Sequence, residues 1–158
     1  MAKIEQGSPR PVDDCYRILV LDVKSNHLDE IKEACKAVGQ EVVGVTSIAE
    51  GLTFLNTKDH VDVVIAEAFL QNESVFDFLA KLKMKPMHAD VPVMLIADEP
   101  SQVGTLCLPS VEVTAKLMGA GKFLFMPEFD IKRLMREIEA MLPTERLPKR
   151  EADPTNAY

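Results

Sequence analysis

The sequence has few cysteines, a deficit of positive charge and no long apolar run, and each shortage removes a class of function. Cys15, Cys35 and Cys107 are odd in number, far apart and free of any CxxC spacing. Neither a disulfide framework nor a zinc site is expected, and a reducing compartment is implied. Lysine and arginine number 18 against 25 aspartates and glutamates, a formal net charge of −7. That balance disfavours a surface that tracks phosphates, so no nucleic-acid partner is expected. No stretch approaches the ~20 apolar residues of a membrane span. The start MAKIEQGSPR leads into no signal-peptide apolar region, so a cytoplasmic protein with no membrane partner is expected. Internal repeats are absent as well.

What is present is a globular composition, 47% hydrophobic and 27% charged over 158 residues. Such a length suits one domain, burying roughly two-thirds of the surface its unfolded chain exposes. Residues 1–15 carry Gly7, Pro9, Pro11, Asp13 and Asp14 without a hydrophobic period and read as a flexible lead-in. Residues 143–158 hold three prolines and charges of both signs and read as a flexible tail. The folded domain is expected over 16–142.

Within it lie four apolar runs of strand length, Arg17 to Asp22, Glu41 to Val45, Val61 to Ala66 and Val91 to Ile96, and a weaker fifth, Lys122 to Met126. Residues apolar at consecutive positions suggest strands covered on both faces. Helical spacing fills the intervals. Ser25 or Asn26 can cap a helix whose stripe is Leu28, Ile31, Cys35 and Val38, with Gly39 as its stop. Ser47 to Glu50 has the form of a capping box, followed by Leu52 and Leu55. A third helix is expected over Ser74 to Lys83, ending before Pro86, and another over Asp130 to Leu142 with Ile131, Leu134, Met135, Ile138 and Met141 facing in. Between the fourth and fifth strands Pro100, Gly104 and Pro109 leave only a short helix, Ser110 to Leu117, in the segment expected to be the least regular. The methionines, Met84, Met87, Met94, Met118, Met126, Met135 and Met141, read mostly as core. Five strands alternating with helices imply right-handed βαβ units: an α/β, flavodoxin-like, doubly wound five-stranded parallel sheet of order 2-1-3-4-5. In that topology functional groups sit beyond the carboxyl ends of strands one and three.

Those strand ends carry Asp22, Glu67, Ala97 and Met126. Around them LVLDVKSN (Leu19 to Asn26), VDVVIAEAFL (Val61 to Leu70), VPVMLIA (Val91 to Ala97) and GAGKFLFMPEF (Gly119 to Phe129) resemble the receiver domain of bacterial response regulators, across roughly Tyr16 to Leu142. An active receiver, the resemblance implies, holds Mg²⁺ with two acids and an acceptor aspartate, closes a Ser or Thr on the phosphoryl group and neutralises it with a lysine. Here Asp22 matches the first acid, but Val23 stands for the second, Glu67 for the acceptor, Ala97 for the hydroxyl and Met126 for the lysine. Phosphoryl transfer rests on positioning and concentrated charge, so these departures imply a degenerate pseudo-receiver that is not an enzyme and uses no cofactor or metal. With Val23 in place of a carboxylate, Mg²⁺ loses a hard oxygen ligand. Glu67, read as a permanent charge near −1, could imitate a phosphorylated state or be a remnant at a solvated strand end.

The resemblance also places Phe123 at the switch aromatic and Pro127 in the turn after strand five. A fixed, inward Phe123 beside Ala97 implies a constitutive docking face made by the fourth helix, fifth strand and fifth helix. Its partners are expected to be proteins of a bacterial signalling pathway, with a homodimer as one form. Ala97 and Met126 lie 29 positions apart, about seven more than the resemblance implies, and such a surplus in a surface segment, here 98–109, is thermodynamically cheap. His27, His60 and His88 share no ligand spacing and read as solvated; Asp98 and Glu99 read as the start of the loop. Two other functions stay open: a conventional phosphoryl-accepting regulator, and a small-molecule module of the same fold. VKSNHLDE lacks the glycine loop of a flavin site, and no Asp-x-His-x-x-Gly loop for cobalamin is present.

Overall fold

The computed structural model describes residues 15–57 and 60–143. The expected lead-in up to residue 14 and the tail from residue 144 lie outside the described residues. The elements run β1 (Tyr16–Leu21), α1 (Ser25–Ala37), β2 (Gln40–Val45), α2 (Ile48–Thr57), β3 (Val63–Glu67), α3 (Val75–Lys83), β4 (Val93–Asp98), α4 (Gln102–Leu117), β5 (Lys122–Met126) and α5 (Ile131–Met141). All strand pairs are parallel, in the order β2-β1-β3-β4-β5.

The unbroken apolar strands are explained by two packed layers. Ile18, Val20, Val63, Ile65, Met94, Ile96 and Leu124 cluster with Ile31 and Cys35 of α1 and with Leu134 and Ile138 of α5. The alternate residues Leu19, Leu21, Val64, Ala66, Val93 and Leu95 cluster with α2, α3 and α4 through Ile48, Leu55, Val75, Phe78, Leu79, Leu82 and Ala115. Period-two alternation therefore assigns each strand residue to one helical layer. The Tyr16 hydroxyl donates to the Pro143 carbonyl at 2.6 Å and ties the chain to the start of the sheet just past α5.

Four local expectations need correction. First, α4 is sixteen residues long rather than a short helix from Ser110. The Ser101 hydroxyl caps it by accepting from Gly104 N at 3.0 Å. Pro109 stands inside it at an exposed position, forfeiting one backbone bond, while buried Gly104 and Ala115 anchor the helix on either side. From Gln102 onward the segment 98–109 is thus helix, not loop. Second, the N-cap of α1 is Lys24, which makes no side-chain capping bond, and Val38 falls at its exposed C-terminal cap rather than on the buried stripe. Third, the Ser47 hydroxyl does accept from Glu50 N at 3.1 Å, but the Glu50 carboxylate reaches Thr46 N and Oγ1 at 2.8 and 2.9 Å instead of closing on Ser47. Fourth, Met94 and Met126 are core, whereas Met84 and Met87, in the turn after α3, are among the most exposed apolar side chains.

Candidate functional site

The central pairing β1 with β3 brings Leu21 opposite Ala66. The next residues, Asp22 and Glu67, consequently emerge side by side at the carboxyl end of the sheet. Asp22 occupies the left-handed region at φ 60°, which aspartate tolerates better than most residues. Its conformation is held by Asp22 N donating to Val45 O at 2.8 Å and by Oδ2 accepting from Gln71 N at 3.1 Å.

Glu67 is only 8% exposed, which corrects the expectation of a solvated strand end. Its Oε2 accepts from Phe69 N at 3.2 Å. Burial pushes its carboxyl from the usual 4.5 up to about 7, against the Phe69 amide, which favours the charged form; the negative charge of Asp98 adds to the rise and Lys24 offsets it weakly. Desolvation outweighs the hydrogen bond because a carboxylate loses more on leaving water than one amide donor returns. Near neutral pH the group is divided between its two protonation states, so it is not the permanent charge expected of it.

Asp22, Val23 and Glu67 line a cleft of about 620 Å³ together with Lys24, Asp98, Glu99, Phe69 and the start of α4 at Ser101, Val103, Gly104 and Cys107. Ala97 and Met126 do not line it. Both are fully buried, Met126 in the layer under α1 and α5, and its thioether can offer no charge to the strand-end carboxylates. Phe123 is half-buried and packs on the opposite layer, shared with α2, α3 and α4, and Pro127 is exposed at the end of β5.

A second group of side chains at this end was not foreseen. His27, expected on the surface, is buried on the inner side of α1. Its ring stacks on Phe129 with centroids 4.0 Å apart and planes 6° apart. Its Nδ1 lies 2.5 Å from Oδ2 of Asp98, the last residue of β4 and not the start of a loop. Glu99 follows in the left-handed region at φ 50°, with its amide donating to Met126 O at 2.7 Å. Its carboxylate accepts from Lys24 Nζ at 3.2 Å and from Phe129 N at 3.0 Å, and these donors, the Phe129 amide first, hold it below the usual carboxylate range. The other histidines also depart from expectation. His88 is buried, and burial pushes its imidazole below the ordinary value, while His60 lies partly buried beside Asp62. Cys35 is buried as expected, and desolvation raises its thiol to about 11.

Comparison with known proteins yields a fold. Neither a family model nor a curated protein matches the sequence. Among solved structures, the chemotaxis response regulator CheY4 of Vibrio cholerae aligns with a TM-score of 0.68 at 20% identity, covering 81% of this chain and 99% of that one. HP1043, an orphan response regulator of H. pylori, aligns with a TM-score of 0.64 at 23% identity over 81% of this chain and 97% of its own. A CheY-like receiver domain from Methanospirillum hungatei aligns with a TM-score of 0.68 at 18% identity, over 86% and 99%. The chain has the receiver fold, as the alternation of strands and helices and the resemblance of the strand-end segments led one to expect.

Proposed function

We propose that the chain is a phosphorylation-independent signalling module, a pseudo-receiver that acts without catalysis by docking a protein partner through the face formed by α4, β5 and α5. The observation that carries this reading is the outer side of α4. There Val103, Leu106, Val113 and Leu117 are 71%, 82%, 60% and 83% exposed. Scattered apolar residues are ordinary on a protein surface, but four on one helix, spaced three, seven and four positions apart, form a stripe of the kind that marks an interaction site. The partner is a component of a signalling pathway; a second copy of the chain is an alternative occupant, separable by the oligomeric state of the purified protein.

The strand-end cleft supports the first half of the reading. A phosphoryl group brings a charge of about −1.5 to −2, and burial, with the charge of Asp98 adding to it, already makes Glu67 difficult to ionise. Among the described residues Lys24 is the one cation lining the cleft, and it is engaged with Glu99. Incubation with acetyl phosphate and Mg²⁺, followed by intact-mass measurement, is expected to give no mass increase; a stoichiometric acid-labile adduct on Glu67 or Asp22 sinks the proposal. The cleft's size favours a second reading, a small-molecule site, since ligand pockets run to roughly 300–1,000 Å³. Four carboxylates in its lining make flavin or nucleotide phosphates poor occupants.

A further inference from the structure

At the amino ends of β3 and β4, the opposite end of the sheet from the strand-end cleft, lies a cavity of about 420 Å³. Leu55 of α2, Val61 before β3, Val91 before β4 and Met141 of α5 give it apolar walls, and Met87 and His88 line it from the turn after α3. Burial, with the charge of Lys85 adding to it, holds the His88 imidazole below its ordinary value. That wall is therefore uncharged near neutral pH. Of the two acids in the lining, Asp62 is buried and accepts from Arg17 N at 2.8 Å, and Asp90 is exposed.

The turn beside the cavity carries an independent signal. Lys81, Lys83 and Lys85 fall close together in a chain of formal net charge −7. Among them stand Met84 and Met87, 79% and 76% exposed. The segment is a formed turn: His88 N donates to Lys85 O at 2.9 Å, Val91 N to His88 O at 3.1 Å, and Lys83 Nζ to Ala89 O at 2.8 Å. Lys81 meets Asp77 at 3.0 Å, but both side chains are half exposed, and such pairs are worth little and exchange readily. Among the described residues no carboxylate pairs with Lys85.

We propose that this cavity and turn form a second docking site, for a segment of a partner protein in which one large apolar side chain is flanked by aspartates or glutamates. The apolar side chain enters the cavity, as anchor residues do at interface hot spots. The flexible methionines adapt to it, and the lysines attract and orient the acids. Asp90 disfavours acids over the cavity itself, so they belong on the side of the lysines. A small ligand would use the cavity and leave the lysines idle; a lipid surface would use the lysines and leave the cavity empty. The site shares no residue with the stripe on α4, so it can fail or stand independently of that docking reading.

The test titrates the full chain with a short synthetic peptide carrying one phenylalanine between runs of glutamate, followed by fluorescence anisotropy and amide chemical shifts. Saturable binding of one peptide per chain is expected, with shifts centred on residues 81–92 and an affinity that falls as salt is added. Exchanging the phenylalanine for alanine, or the glutamates for lysines, is expected to weaken binding at least about tenfold. On the protein, Lys81→Glu combined with Lys85→Glu weakens it at least about tenfold and Met87→Ser about threefold or more, whereas Leu106→Ser with Leu117→Ser leaves it unchanged. All these positions are exposed, and circular dichroism checks that each variant is folded. The proposal is overturned by absence of saturable binding, by equal affinity for the alanine peptide, or by shifts centred on α4. Equal affinity for phenylalanine amide alone, or binding to phosphatidylserine vesicles in preference to the peptide, overturns it as well.

Discussion

The strand-end cleft and the outer face of α4 invert the ordinary distribution of side chains in opposite ways. In the cleft, carboxylates are withdrawn from water: Glu67 and Asp98 are buried, and Glu67 titrates near neutrality as a result. On α4, leucines and valines are held in water. The two departures carry different implications. Much of the burial in the cleft is compensated internally, by Phe69 N for Glu67 and by His27 for Asp98. No described residue covers the α4 stripe. A strand-end site crowded with carboxylates, next to an apolar face that no described residue covers, is what the proposed module needs if it binds a partner without being switched.

The largest effect that breaks this comparison is expected from Asp98→Ala. It leaves His27 stacked and buried with no acceptor, and losing one member of a buried pair costs about 3–5 kcal/mol, to be read from denaturant unfolding. Next is Glu67→Gln, whose effect depends on pH. The folded carboxyl ionises near 7 and the unfolded one near 4.5, so between these values the unfolded state sheds its proton first and the fold is penalised as pH rises. The penalty is small near pH 5 and saturates above pH 7 on the order of 3 kcal/mol. Glu67→Gln should therefore stabilise the protein near pH 8 and change little near pH 5. Equal effects at the two pH values would show that Glu67 is not desolvated. Ser101→Ala, at the boundary of the two regions, removes the cap of α4 and should cost about 1 kcal/mol, with faster hydrogen exchange confined to the first turns of that helix. The smallest stability effect is expected from Leu106→Ser combined with Leu117→Ser, within about 0.5 kcal/mol, because both side chains are already in water.

Much of the fold was legible because the strands are apolar on both faces, and the runs and their order follow from that pattern, although β3 and β4 begin two residues later than expected and β4 ends at Asp98 rather than Ala97. Lys122 to Met126 was placed to the residue. The stripe Ile131, Leu134, Met135, Ile138 and Met141 was also correct, since a helix on the sheet must bury that face. His27 was missed although its signal is present: it lies four residues before Ile31 and eight before Cys35, on the same buried stripe. A polar residue type hid a positional rule. Asp98 was hidden likewise, although it shares the face of Met94 and Ile96 by the alternation of β4. The length of α4 was misread because Pro109 is an effective local breaker, and the cap at Ser101 with the anchors Gly104 and Ala115 acts over a longer range. The charge state of Glu67 was not legible at all. It depends on burial that the folded chain creates by bringing Phe69, Asp98 and α4 over the end of β3.

The central claim, that binding has passed from the strand ends to α4, is tested most directly by measuring a captured partner's affinity for four proteins: wild type, Leu106→Ser with Leu117→Ser, Glu67→Gln, and wild type treated with acetyl phosphate and Mg²⁺. The expected result is at least a tenfold loss for the α4 variant and unchanged affinity for the other two. The contradicting result is an affinity that ignores the α4 substitutions and changes with Glu67→Gln or with acetyl phosphate.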